Sequence, residues 1–71
     1  MLNTIKRIIR ETPRASFANP KVRLDKKEDC IKIFAGSEAD ACRYIAAIRA
    51  KGYKVGLDSI YDGKVVRVPN A

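Results

Sequence analysis

Residues 37–52 read SEADACRYIAAIRAKG. The fold turns on this stretch being a helix. Ser37 is a strong N-cap, because its hydroxyl can accept from a first-turn N–H that has no partner inside the helix. Asp40, three positions on, completes an S-x-x-D spacing of the capping-box kind. Glu38 and Asp40 place negative charge at the positive end of the helix dipole. Arg49 and Lys51 sit at the other end, and Gly52 follows as a stop. Ala41, Tyr44, Ile45 and Ile48 share one stripe at helical spacing. The spacing predicts a helix over 38–51.

On either side the period changes from helical to alternating. Downstream, YKVGLDSIYDGKVVRVP (53–69) holds Asp62-Gly63 between two β-rich runs, a strong hairpin signal. A two-residue turn there pairs Leu57 with Val68 and Asp58 with Arg67. That places Val55, Leu57, Val66 and Val68 on a core face. Upstream, KVRLDKKEDCIKIFAG (21–36) alternates Val22 and Leu24 with Lys21 and Arg23, and Ile31 and Ile33 with Lys32 and Phe34. A four-residue loop, Lys26 to Asp29, sets Leu24 against Ile31 and Val22 against Ile33. It therefore puts both apolar sets on one face.

Ahead of these lies MLNTIKRIIRETPR (1–14). Residues 2–11 fit a short amphipathic helix with Ile5, Ile8 and Ile9 on one side. It should stop at Thr12, since the residue before Pro13 is pushed out of the α region. A helix this short is marginal alone, so it has to dock. The segment TPRASFANP (12–20) reads as a connector, with Phe17 as its candidate core anchor.

The expected fold is α+β, a single domain in the order α-β-β-α-β-β. About four antiparallel strands carry helices on one face. Residues 1–19 form the basic helix and connector, and residues 20–71 the hairpin–helix–hairpin unit. The expected core is Ile5, Ile8, Val22, Leu24, Ile31, Ile33, Ile45, Ile48, Val55, Leu57, Val66 and Val68.

Seventy-one residues allow one domain, and 46% hydrophobic content suffices for a small core. Two cysteines are too few for a disulfide framework. No apolar run approaches the roughly 20 residues of a bilayer span. The start lacks the apolar stretch of a secretion signal. These features lead to an expectation of a cytoplasmic protein with no membrane partner.

The run IKIFAGSEADACRYIAAIRAKGYKVG (31–56), with GKVVRV (63–68), resembles one strand–helix–hairpin half of the bacterial SPOR domains, which bind septal peptidoglycan. The shared features are an alanine-rich helix, a Gly-Tyr after it and a closing V-x-V strand. A SPOR domain has a second such half and this chain does not, so no functional residue is carried over.

The residues give catalysis little to work with. There is no histidine to act as a base near neutral pH. Cys30 and Cys42 therefore lack an activating imidazole, and with no histidine they are too few for a structural zinc site. No phosphate-cradling glycine motif occurs. Capping explains Glu38 and Asp40. The expectation is a protein that is not an enzyme and uses no cofactor or metal.

Charge is the informative signal. The chain has 15 Lys and Arg against 8 Asp and Glu, a net charge of +7. Residues 1–23 hold six of those cations and only Glu11 among acids. Such asymmetry points to partners rather than to fold. Lys6, Arg7, Arg10 and Arg14 lie in the amino-terminal region. Lys21, Arg23, Lys32, Lys54 and Arg67 fall on the expected non-core face of the sheet, with Phe34 among them. Cations beside an aromatic suit a nucleic acid, single-stranded DNA or RNA above all, because phosphates pair with the cations and a base stacks on the ring. The alternative is an adaptor or inhibitor docking on an acidic protein surface or a larger machine. Arg43, Ala46, Ala47 and Ala50, with Ala39, would be its contact strip. In size and lack of catalytic residues the chain is similar to small accessory proteins of bacteriophages and mobile elements, a likeness no motif carries.

Overall fold

A computed structural model describes residues 1–57 and 64–70. The elements are α1 (Leu2–Glu11), β1 (Lys21–Asp25), β2 (Cys30–Phe34), α2 (Glu38–Ala50), β3 (Gly56–Leu57) and β4 (Val65–Pro69). The four strands form one antiparallel sheet in the order β1-β2-β4-β3. This is the α-β-β-α-β-β arrangement the sequence predicts.

The β1–β2 hairpin has the expected register, with Val22 opposite Ile33 and Leu24 opposite Ile31. Its loop is locally built. The Asp25 carboxylate accepts the N–H groups of Lys27 at 3.0 Å and Glu28 at 3.2 Å. Asp29 takes the left-handed conformation at φ 51, which aspartate tolerates better than most residues. In α2, Ser37 caps as expected, its hydroxyl accepting from the Asp40 N–H at 3.2 Å. Gly52 stands just past the helix at φ +93. In α1, Thr12 leaves the helix in extended backbone at ψ 122, and its hydroxyl donates to the Ile8 carbonyl at 2.7 Å.

The core lies between the sheet and both helices. Ile5, Ile8 and Ile9 of α1 meet Ala41, Tyr44 and Ile48 of α2 and Ile31, Ile33, Val66 and Val68 of the sheet. The short first helix is therefore held by burial rather than by propensity. Val22, Ile45 and Val55 pack against this cluster only in part. Two expected core residues do not belong to it. Leu24 is 45% and Leu57 47% exposed, because each sits on an edge strand with a neighbouring strand on one side only.

The second hairpin departs from expectation in register. Leu57 pairs with Val66 rather than Val68, and Gly56 rather than Asp58 lies opposite Arg67. A slip of two residues keeps Gly56 and Leu57 on their expected faces, so apolar alternation cannot detect it. The Asp62-Gly63 turn lies outside the described residues.

Phe17 is the largest surprise. It is fully exposed, at 102% of its reference area, and anchors nothing in the core. The connector is tied down by Asp40 instead. That side chain is completely buried. Its carboxylate accepts the Ala15 N–H at 2.6 Å, the Ser16 N–H at 3.2 Å and the Ser16 hydroxyl at 2.7 Å. The Asp40 carboxylate thus bonds across to the connector, while its N–H donates to the Ser37 N-cap.

Gly36 completes the attachment. A methyl group there would collide with the Ser16 hydroxyl and come within 2.9 Å of the Ala18 Cβ. Gly36→Ala should therefore destabilise the domain by about 1–3 kcal/mol, the usual cost of forcing atoms into a filled space. Chemical denaturation checks this, and an unchanged midpoint would mean the connector is not packed there.

Among the described residues, no helix is long and apolar enough to cross a membrane, and no group of His, Cys, Asp and Glu is placed to hold a metal ion.

Candidate nucleic-acid interface

The strand registers define the surface turned away from the helices. Lys21, Phe34 and Val65 form one cross-strand row. Arg23, Lys32, Arg67 and Gly56 form a second, and Asp25, Cys30 and Pro69 a third. Lys21, Arg23, Lys32, Phe34 and Arg67 thus share a face, as expected. Lys54 does not join them. It is exposed, but in the loop ahead of β3 rather than in the sheet.

This face is less open than the alternation predicts. Neither helix lies on it, yet Cys30, Lys32 and Val65 are buried there and Phe34 is half-buried. The middle row sets like charges side by side, which is unfavourable by itself. Carboxylates from β1 and its loop offset them. The Lys32 ammonium lies 3.1 Å from Glu28 and 3.3 Å from Asp25, and the Arg67 guanidinium 3.6 Å from Glu28. The hydrogen bond to Glu28 raises the pKa of Lys32. The Glu28 N–H, followed by the Lys32 ammonium, lowers that of Asp25. Two of the expected phosphate-holding cations are therefore already paired inside the protein.

A different arrangement arises on the other side of β1. Lys6 and Arg10 of α1 and Arg14 of the connector converge on one groove of about 700 Å³. Lys6 and Arg10 are one helical turn apart, so the two cations project from the same side of α1. Ile9, Pro13, Pro20, Val22 and Tyr44 supply the apolar part of the wall. Among the described residues, no carboxylate lines the groove. The Arg14 guanidinium donates to the Asn19 side-chain oxygen, which braces it against the far end of the connector. Tyr44 is buried to its phenol, and that burial raises the pKa of the hydroxyl. Arg7, on the same helix, is exposed and does not line the groove. The sequence showed these charges but not their meeting point, because Arg14 reaches the groove only through the fold of the connector.

The strip proposed for a protein partner is broken in two places. Ala39, Ala46 and Ala50 are exposed, but Ala47 packs partly against the core. Arg43 is exposed, and its guanidinium donates to the Pro13 carbonyl at 3.4 Å.

The thiols differ sharply. Cys30 is fully buried and burial raises its pKa, whereas Cys42 is exposed. A thiol reagent should label one cysteine quickly in the folded protein and the second only on unfolding. Cys42→Ala should abolish the fast phase. Fast labelling that persists in this variant would place Cys30 in a different environment.

In comparisons with known proteins, no family model, curated protein or solved structure matches this chain. Function therefore rests on the residues themselves.

Proposed function

We propose that this protein binds nucleic acid, single strands in particular, without catalysing a reaction, and that it works in the cytoplasm. The observation that carries the proposal is the convergence of Lys6, Arg10 and Arg14 on a half-apolar groove that no carboxylate lines among the described residues. Cations gathered in one groove attract phosphates, and binding releases the counterions condensed on them. The apolar wall gives the sugar and base edges a surface that is not water. Arg7, Lys21 and Arg23 extend the positive field around β1 and raise the encounter rate. The sheet face contributes less than its cation count implies, because Asp25 and Glu28 hold Lys32 and Arg67.

The test is a fluorescence anisotropy titration with single-stranded DNA, duplex DNA and RNA at low and moderate salt. Binding that favours the single strand and weakens steeply with salt is the expected result. No binding to any of the three at low salt rejects the proposal.

A further inference from the structure

We infer that Phe17 is the residue on which a base of the bound strand stacks, next to phosphates held by Lys6, Arg10 and Arg14; this rests on the nucleic-acid reading above. A single exposed apolar side chain is ordinary on a protein surface. What sets Phe17 apart is how its backbone is held. On its amino-terminal side, Ala15 and Ser16 are bonded to the buried Asp40 carboxylate. On its carboxy-terminal side, Ala18 lies against Gly36, at a distance that leaves no room for a side chain there. One residue further, Asn19 accepts from Arg14. The ring between these attachments is fully exposed. A carboxylate, a glycine and an arginine fix the loop, and the aromatic group it carries touches no core.

The same connector builds the groove. Pro13, Arg14, Asn19 and Pro20 line it, on both sides of Phe17 in sequence. Three residues of chain span at most about 11 Å, so the Phe17 backbone lies within that distance of the Arg14 backbone. A strand with a phosphate on Arg14 thus has a neighbouring base within reach of the ring. Single-strand binders combine these two elements, a cationic track and an aromatic platform. A loop already fixed in place loses little conformational freedom on binding. Phe34, which shares the sheet face with Lys21, Arg23, Lys32 and Arg67, is half-buried beside the buried Val65, and Tyr44 in the groove wall is fully buried, so both offer a base less surface. The surrounding charge favours a polyanion over an apolar protein pocket as the occupant.

The experiment compares wild type with Phe17→Ala by anisotropy on three probes. These are a thymidylate single strand, the same strand with abasic positions throughout, and a duplex of equal phosphate count. Phe17→Ala should weaken single-strand binding by about five- to 150-fold, the range that loss of one stacked base produces. Binding to the abasic strand and to the duplex should change less than about two-fold, since neither offers a splayed base. Phe17→Tyr should retain wild-type affinity and Phe17→Leu should not. Because the side chain is fully exposed, the variants should melt with wild type, which thermal denaturation verifies. Equal binding of the thymidylate strand by wild type and Phe17→Ala overturns the inference and leaves the groove reading standing. An equal loss on the abasic strand also overturns it, by showing that Phe17 acts through the groove and not on a base. If wild type binds none of the probes, both readings fall, and a protein that binds through Phe17 takes the place of the strand.

Discussion

Asp40→Ala should be among the most damaging single substitutions in this protein, lowering the thermal midpoint on the order of 10 °C. The side chain accepts three hydrogen bonds from Ala15 and Ser16. Removing it orphans two backbone N–H groups and a hydroxyl, and leaves a void at the start of α2. Asp40→Asn is the informative companion, since it keeps the shape but turns part of the acceptor into a donor. It should recover part of the loss. The same contacts give a pH dependence. The Ser16 hydroxyl first, then the Ala15 N–H, lower the pKa of Asp40 in the folded state. A carboxyl that is more acidic when folded contributes stability above its unfolded value of about 3.9. That contribution disappears as pH falls through the folded value. Asp25 acts in the same direction. Wild type should therefore lose stability on acidification below about pH 4, and Asp40→Ala should show a shallower loss. Thermal melts across an acid series measure this. Parallel curves for the two proteins would mean that Asp40 titrates alike folded and unfolded.

Replacing Lys6, Arg10 and Arg14 together with Gln should produce the largest functional effect. If each holds one phosphate of a single strand or duplex, the slope of log affinity against log salt flattens by about 0.7–0.9 per contact, or about two to three in all. At low salt the affinity should fall on the order of 100-fold. The fold should survive, because Ile5, Ile8 and Ile9 carry the packing of α1. The thermal midpoint should change little, since relief of the like charges Lys6 and Arg10, one turn apart, offsets the loss of the exposed Arg14–Asn19 hydrogen bond. Arg7→Gln is the control. It removes the same charge from the same helix but not from the groove, so it should flatten the slope by less than one contact. A slope as flat for Arg7→Gln as for the triple variant would mean that only overall charge matters.

The placement of these groups shows which inferences local pattern can carry. Three boundaries were legible because nearby atoms set them. Ser37 caps α2, Thr12 ends α1 ahead of proline, and the Lys26–Asp29 loop fixes the register of β1 on β2. The order of elements and the apolar face of each strand followed from period alone. The register of β3 on β4 did not. A two-residue slip preserves alternation, and only the sheet as assembled chose Leu57 opposite Val66. Edge position exposed Leu24 and Leu57, and it has no signature in composition.

The candidate interface divides along the same line. By itself the sequence determined that the amino-terminal third is basic, that the chain holds no histidine, and that α1 must dock. Those are properties of side-chain type and near-neighbour spacing. Only the tertiary structure decided that Lys6, Arg10 and Arg14 converge, that Glu28 and Asp25 hold Lys32 and Arg67, and that Phe17 faces solvent. Asp40 shows the physical reason. Its spacing from Ser37 fully accounts for a capping role, yet its carboxylate bonds to Ala15 and Ser16, 25 and 24 residues earlier. The connector has backbone N–H groups that need acceptors wherever they are buried. Which acceptor they find depends on which elements the core brings together, and no local pattern records that.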